Sequence, residues 1–196
     1  MNYVVRSISL LGFLLLSVGA QATDWQVNNA QSKLSFVSTK KVNIAEVHSF
    51  GQLSGGLSAA GQFVLDIDLN SVNTNIDIRD SRMKEFLFDV IDFPAAQITA
   101  MIEPELVNAM TVGQQELSAV AGKLELHGQT QALNFDVVVT KLADDTLFVV
   151  SATPVILNVA DYQLVEGVEK LRELAGLPSI SLAVPVSFYL TLNAAN

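Results

Sequence analysis

Two histidines are the residues of this sequence best suited to acid–base or metal chemistry, yet their surroundings support neither. His48 and His127 lie far apart in a chain of 196 residues that contains no cysteine. A zinc or transition-metal site needs several His, Cys, Asp or Glu ligands, and no spacing here suggests such a set. No serine has a recognisable base beside it in the sequence, and nucleophile-elbow, phosphate-loop and metalloprotease motifs are absent. We therefore predict no metal site, no catalytic residue and a protein that is not an enzyme; an enzyme that uses histidine chemistry is the alternative.

Arg79 and Arg82 are the residues best placed to hold an anion. They are two of only eleven Lys and Arg residues, and they lie close together near the start of a predicted helix. A guanidinium group binds phosphate or carboxylate through two parallel hydrogen bonds. The competing interpretation, which the sequence alone favours, is pairing with nearby carboxylates such as Asp77 and Asp80.

Composition excludes some classes of partner. The formal net charge is −9, and half of the residues are hydrophobic. An acidic protein is poorly suited to bind nucleic acid or an anionic membrane surface. The sequence therefore predicts no nucleic-acid partner and no stable membrane insertion.

The N-terminal residues 1–22 have the features of a cleaved secretory signal peptide. Arg6 supplies a short positive region, residues 8–18 are almost wholly apolar, and Ala20-Gln21-Ala22 is a cleavage site of the A-x-A type. The apolar run is short for a membrane span. We predict export to the periplasm and a single mature domain over residues 23–196.

Most of the mature chain shows the two-residue alternation that is typical of strands with one dry face. The pattern is clearest at residues 61–69 and 180–192, and residues 117–127 and 133–139 form a predicted hairpin across His127-Gly128. Gly51, Gly55 and Gly56 indicate a turn or bulge before residue 61. Further strands are predicted at residues 33–38, 43–48, 97–102 and 147–152.

Only two segments show helical spacing. Residues 81–88 form a predicted short helix with Asp80 as its N-cap, and residues 161–175 form a longer one that ends at Gly176. About eight strands against two short-to-medium helices predict an all-β fold. Such strands bury their apolar faces by closing into an extended antiparallel eight-stranded barrel.

The interior of this barrel is the predicted functional region. A barrel of eight strands is just wide enough to be filled by its own side chains or to hold one small ligand, and composition does not decide between the two. The residues assigned to the interior by strand parity or helical spacing are Phe36, Phe63, Leu65, Ile67, Phe86, Phe88, Phe93, Leu124, Leu126, Phe135, Val184 and Phe188.

Several motifs together resemble the YceI-like family over nearly the whole mature chain. The most specific are Phe88-x-x-x-x-Phe93-Pro94 and Leu124-x-Leu126-His127-Gly128-x-Thr130, and two more are Glu46-Val47-His48-x-Phe50 and Ile78-Arg79-Asp80-x-Arg82-Met83.

This resemblance implies a lipocalin-like barrel with a long hydrophobic pore in a periplasmic, non-enzymatic protein. Members of the family hold a polyisoprenoid, such as a quinone precursor, or a fatty-acid derivative. We therefore expect an isoprenoid or other amphiphilic lipid as the partner, no further cofactor, and a homodimer as a possible assembly. Arg79 and Arg82 are the candidate head-group residues. The expected role is transport, storage or stress response, and the alternative is a filled barrel that acts through its surface in the cell envelope.

Overall fold

The computed structural model describes residues 24–195, so the predicted signal peptide at residues 1–22 lies outside the described part. Twelve strands of this part form one antiparallel sheet. The strands are β1 Trp25–Val27, β2 Lys33–Lys40, β3 Ile44–Phe50, β4 Leu53–Leu57, β5 Gln62–Asp68, β6 Val72–Asn73, β7 Ala95–Met101, β8 Gln115–Leu126, β9 Gln129–Ala143, β10 Thr146–Ser151, β11 Val155–Asn158 and β12 Ala183–Ala194.

These twelve strands build an eight-stranded barrel because four of its strands are each interrupted once. The pairs β1/β2, β3/β4, β5/β6 and β10/β11 each continue along one line of the wall. β7, β8 and β9 are continuous, and β12 closes the barrel by pairing with β1 and β2 on one edge and with β10 and β11 on the other. The predicted antiparallel eight-stranded barrel is confirmed.

The alternation in the sequence corresponds to the two faces of the wall. Leu65 of β5 and Leu190 of β12 are each only 1 % exposed, whereas Val64 and Asp66 on either side of Leu65 are partly exposed. The interior is therefore lined by alternate apolar residues from every long strand, as a one-sided sheet requires.

The glycines at 51–56 were predicted to form a turn or bulge, and that prediction is wrong for Gly55 and Gly56. Both lie inside β4, which runs between β1 and β5. A Cβ atom on Gly55 would come within 2.2 Å of the Val64 carbonyl oxygen, and Gly55 has φ = +115°. The segment lacks alternation because close backbone approach, rather than side-chain burial, selects its residues.

The predicted helix 81–88 is longer than expected and begins earlier. Helix α1 spans Asp77–Arg82, and a π-helical turn at Met83–Phe88 follows it directly. Asp80 is therefore inside the helix and is not its N-cap. Its carboxylate instead accepts hydrogen bonds from the backbone N–H (2.8 Å) and the hydroxyl group of Thr74.

The other helices differ less from expectation. Helix α2, Pro104–Asn108, was not predicted, whereas α3, Val165–Leu174, lies within the predicted segment 161–175. Gly176 follows α3 with φ = +61°, as its predicted role at the helix end requires. No helix within residues 24–195 has both the length and the apolar character needed to cross a bilayer.

The helices lie at two ends of the barrel. Residues of α2 line the interior at one end, whereas the π-helical turn and the 3₁₀ turn before α3, Val159–Tyr162, line it at the other. At this second end α3 packs tightly on the π-helical turn. A Cβ atom on Gly167 would lie 2.6 Å from the Phe86 carbonyl oxygen and 2.9 Å from the Leu87 Cα atom.

Replacing Gly167 by Ala should therefore destabilise the protein, although Gly→Ala within a helix ordinarily stabilises it. We expect the free energy of unfolding to fall by about 1–3 kcal/mol, the usual cost of overpacking a tight contact. Urea denaturation followed by circular dichroism measures this change. Glu173→Ala on the exposed surface of α3 is the control and should change stability by less than about 0.5 kcal/mol. A Gly167→Ala variant as stable as the parent would contradict the close approach of these helices.

Candidate functional site: an apolar cavity and a buried polar layer

Two apolar cavities occupy the barrel interior. The first, at the end covered by the π-helical turn and α3, has a volume of about 130 Å³, and the second, towards α2, has a volume of about 70 Å³. The surface that lines both is apolar throughout. Ile98, Phe135 and Phe188 border both cavities, and the rings of Phe135 and Phe188 meet edge to face with their centroids 5.9 Å apart. This aromatic pair lies at the boundary between the two cavities.

All but two of the predicted interior residues line these cavities. The first cavity is bordered by Phe36, Ile67, Phe88, Leu124, Leu126 and Val184, the second by Phe63 and Leu65, and both by Phe135 and Phe188. The structure thus brings these ten residues together, and ligand contact by them stays a prediction.

Phe86 and Phe93 lie elsewhere. The Phe86 ring faces α3, with the Lys170 ammonium group 5.9 Å from its centroid. The Phe93 ring packs on His127 at a centroid distance of 4.5 Å. Strand parity or helical spacing placed these two rings inside, but the helix-containing segment between β6 and β7 turns them away from the barrel interior.

The Phe93–His127 contact explains why two motifs of the sequence occur together. His127 and Gly128 both have positive φ, as a tight hairpin turn between β8 and β9 requires. A Cβ atom on Gly128 would lie 3.0 Å from the Phe93 ring. The hairpin turn therefore needs glycine for its conformation and for space, and it fixes the segment that leads from the π-helical turn into β7.

Sequence analysis missed many lining residues, for two different reasons. Leu34 shares strand parity with the predicted residue Phe36, and Ile98 alternates with polar residues in a predicted strand, so the alternation could have identified both. Leu87 comes from the π-helical turn, Tyr162 from the 3₁₀ turn before α3 and Leu164 from the N-cap position of α3, where alternation gives no signal. The remaining missed residues of the first cavity are Phe50, Leu69, Ala96, Leu133, Val155, Leu157, Val159 and Val186.

A cluster of polar side chains lies where the apolar lining ends, on the inner face of the β2–β3 hairpin. Phe36 and Phe50 belong to the lining, and His48 lies opposite Phe36 in the register, with the two rings 5.2 Å apart. Ser38 and Glu46 form the next pair of this face. We call this cluster the polar layer; it consists of Ser38, Lys40, Glu46, His48, Thr74, Arg79 and Asp80.

Arg79 is held in the polar layer by fixed partners. Its Nη1 donates to Glu46 at 2.7 Å, and its Nη2 donates to the Thr74 carbonyl oxygen at 2.8 Å. Lys40 donates to the same Glu46 oxygen at 2.8 Å. The hydrogen bond from Lys40, together with Arg79, holds the pKa of Glu46 below its ordinary value. Arg79 is thus paired with a carboxylate, as the competing interpretation of the sequence predicted. The carboxylate is Glu46, however, which is distant from Arg79 in sequence.

Arg82, the second candidate for an anionic head group, does not join the polar layer. Its guanidinium group donates to the Leu174 carbonyl oxygen at the end of α3, at 3.3 Å. Binding of a head group by either arginine stays a prediction.

His48 is the most deeply enclosed ionisable side chain of the layer, at 4 % exposure. Its Nε2 lies 2.8 Å from the Ser38 hydroxyl oxygen. Burial, reinforced by the positive charge of Arg79, lowers the pKa of His48 below 6.5. The enclosure therefore favours the neutral imidazole over the charged one.

Two nitrogen atoms of the polar layer have no hydrogen-bond partner among the described residues. They are His48 Nδ1 and Arg79 Nε, and both are buried. A buried donor left without an acceptor ordinarily costs about 1–3 kcal/mol. Such groups are uncommon in native proteins, so each calls for a physical explanation.

The Ser38–His48 contact has the geometry of a nucleophile and its base, which the sequence did not reveal because the two residues lie on different strands. A catalytic arrangement also needs a group that orients the far nitrogen of the ring, but His48 Nδ1 has no such partner among the described residues. Within residues 24–195 no group of three or more His, Asp or Glu side chains is placed to hold a metal ion.

Comparison with known proteins agrees with this architecture. The family model for YceI-like domains matches residues 25–192. A polyisoprenoid-binding domain from Saccharophagus degradans, implicated in plant cell wall breakdown, is similar in structure with a TM-score of 0.86 and 39 % identity, and the match covers 88 % of this chain and 99 % of that domain. No protein among those with curated functions matches the chain.

Two more distant structures are similar in fold alone. BcnA from Burkholderia cenocepacia has a TM-score of 0.64 at 18 % identity, and the match covers 84 % of this chain and 98 % of BcnA. The YCEI protein of Campylobacter jejuni has a TM-score of 0.56 at 13 % identity, covering 76 % of this chain and 85 % of that protein.

The lowered pKa of His48 predicts a loss of stability on mild acidification. Between pH 7 and the folded-state pKa, the unfolded chain takes up a proton at His48 that the folded protein does not bind. The free energy of unfolding should therefore decrease as the pH falls through 6.5, with a slope of at most about 1.4 kcal/mol per pH unit. Glu46 acts in the same direction, but only below about pH 4.5.

Urea denaturation of the parent and of His48→Gln at several values between pH 7.5 and 5.5 measures this effect. The variant should show a smaller decrease in stability across that range. Identical pH profiles for the two proteins would show that His48 titrates normally in the folded state.

Proposed function

Because the chain belongs to the YceI-like domain family, we propose that it is a lipid-binding protein that holds an isoprenoid or similar amphiphilic lipid inside the barrel. The observation that carries the proposal is the wholly apolar lining of two neighbouring cavities within one closed wall. Removing the lipid chain from water is favourable by about 25 cal/mol per Å² of apolar surface, less the cost of ordering it. No catalytic step is needed for this function.

The relative from Saccharophagus degradans supports the same class of ligand. It is a polyisoprenoid-binding domain, and its structural similarity to this chain extends over almost its whole length. The alternative of a filled barrel that acts only through its surface predicts a core without a cavity of ligand size. The two cavities therefore favour the lipid-binding proposal.

The proposed setting is the periplasm, where such a protein would transport or store lipid or act in a stress response. The support for this setting is the signal-peptide pattern of residues 1–22. A barrel that shields an apolar chain allows the lipid to cross an aqueous compartment without an exposed hydrophobic surface.

Purification of the mature protein from its own periplasm should yield a complex with lipid. Native mass spectrometry is expected to show a discrete adduct, and organic extraction should release a stoichiometric isoprenoid or related lipid. A protein that shows only its bare mass, and that binds no isoprenoid after reconstitution, would contradict the proposal.

The Phe135–Phe188 pair should limit the length of the lipid that fits. Phe135→Ala removes one ring from the boundary between the two cavities and should create a single larger space. We expect this variant to bind longer isoprenoids more tightly relative to shorter ones than the parent does, at a stability cost of about 3–5 kcal/mol.

The comparison is made by competitive binding of isoprenoids of increasing length, detected by native mass spectrometry. Phe148→Ala is the matched control, because the Phe148 ring packs against Tyr189 and lines neither cavity. An unchanged length preference in Phe135→Ala would mean that the two cavities do not form one binding space.

A further inference from the structure

Two helical segments form a cap over the first cavity. One consists of α1 and the π-helical turn with the residue before them, 76–88, and the other consists of α3 and its capping residues, 164–175. Leu87 and Phe88 of the first segment and Leu164 of the second line the cavity. Phe88 is 6 % exposed and Leu164 is 3 % exposed, so solvent does not reach the cavity past them. A lipid chain that enters at this end therefore needs the cap to move.

Each of the four junctions between the cap and the barrel wall contains a residue with left-handed backbone. Asn75 precedes the first segment with φ = +60°, and Asp89 follows it with φ = +47°. Gln163 precedes the second segment with φ = +56°, and Gly176 follows it with φ = +61°. Helix α2 at the other end of the barrel lacks this feature, since the residues that flank it have φ = −62° and −82°. Hinges form at a few such residues at the ends of elements, where the chain can absorb a change of backbone angles.

The two segments of the cap pack together as one body. Gly167 of α3 lies so close to the π-helical turn that a Cβ atom on it would come within 2.6 Å of the Phe86 carbonyl oxygen. The Lys170 ammonium group lies 5.9 Å from the centroid of the Phe86 ring. Arg82 of α1 donates to the Leu174 carbonyl oxygen at the end of α3, at 3.3 Å. Because these contacts join the segments along their length, the segments should move together.

A single ion pair fastens the cap to the wall. Arg79 of α1 donates to Glu46 of β3 at 2.7 Å, and within residues 24–195 this is the only side-chain hydrogen bond between the cap and a strand. Lys40 of β2 donates to the same Glu46 oxygen at 2.8 Å and so helps to hold the carboxylate in place. The Phe88 ring meets Phe50 of β3 at a centroid distance of 5.9 Å, but apolar contact of this kind is not directional. The ion pair therefore fixes the closed position.

We propose that the cap is a hinged lid and that the Arg79–Glu46 pair is its latch. Breaking the pair releases α1, the π-helical turn and α3 together about the four left-handed junctions. The movement withdraws Leu87, Phe88 and Leu164 from the first cavity and admits an apolar chain at this end of the barrel. Closure then shields the chain from water. The lid concerns how a ligand enters and leaves, and it rests on the proposed function only for the class of that ligand.

Hydrogen–deuterium exchange of the lipid-free mature protein tests the lid without any ligand. Local opening exposes backbone amides that the closed structure protects. We expect residues 76–88 and 164–175 to share one degree of protection, lower than that of β8 and β9. Glu46→Gln removes the charge of the latch and should speed exchange in both segments by about threefold, as the loss of a partly exposed ion pair predicts, with the wall unchanged. Exchange that is unchanged in the variant, or faster in one segment only, would overturn the lid.

Glu169→Gln is the matched control. Glu169 pairs with Arg172 at 2.6 Å, but both residues lie on α3, so this ion pair does not join the cap to the wall. The variant loses the same charge as Glu46→Gln and should leave exchange in residues 76–88 unchanged. An equal increase there in both variants would show that loss of charge, and not loss of the latch, speeds the exchange, and it would overturn the assignment of the latch.

Exchange of bound lipid tests whether the lid controls entry. The mature protein is loaded with farnesol, mixed with an excess of deuterated farnesol and followed over time by native mass spectrometry. Glu46→Gln should raise the rate constants for release and for binding by the same factor of about threefold, because the pair is broken equally in the free and the loaded protein, so that Kd stays the same. Unchanged rate constants would overturn the lid as the route of entry. Failure of the parent to bind farnesol would instead overturn the proposed function, and hydrogen–deuterium exchange would still decide the lid.

Discussion

The closure of the sheet by β12 is the constraint on which the rest of this structure depends. This one strand pairs with β1 and β2 along one edge and with β10 and β11 along the other. Closure removes the open edges of the sheet and encloses the apolar faces of all eight barrel strands. Without it the inner face of β12, with Phe188 and Leu190, would be exposed to water. The interior exists because the wall is complete.

The interruptions in the wall matter as much as its closure. Two of the four breaks contain 3₁₀ turns, one contains Gly51 and one contains Pro154, and the chain leaves the wall between β6 and β7 and between β11 and β12 to form α1, the π-helical turn and α3. These excursions supply Leu87, Phe88 and Tyr162 to the first cavity. The helix-bearing segments therefore cover the end of a barrel that its strands alone would leave open.

Charge is distributed so that the acidic protein has a neutral interior. The formal charge of −9 belongs to the whole chain, but the cavity lining is apolar and the polar layer balances two cations against two carboxylates. Partly removing charge from water is costly unless the charge is paired, and the partly exposed Glu46 pairs with both Lys40 and Arg79. The neutral state of His48 follows the same rule, because enclosure disfavours the charged imidazole. The proposed lipid site is thus an apolar space without a charged residue in its lining.

The sequence by itself determined the all-β class, the eight-stranded barrel and part of the lining of its interior. Those features follow from the alternation of apolar and polar residues with a period of two. This alternation is a local property of each strand and does not depend on the neighbouring strands. Residues such as Phe63, Leu65 and Phe188 could be assigned to the interior for that reason. The family resemblance added the expected ligand class, which periodicity does not contain.

Only the tertiary structure decided where strands break and which polar groups meet. β4 carries glycines because neighbouring backbones approach closely, and no alternation marks it. Phe86 and Phe93 are large apolar residues of the kind expected in the interior. Long-range packing of Phe86 on α3 and of Phe93 on His127 turns both rings outward. The polar layer joins Ser38 and His48 from adjacent strands with Arg79 from a helix. Their chemistry depends on register and on contacts between distant segments, and such contacts leave no periodic signal in the sequence.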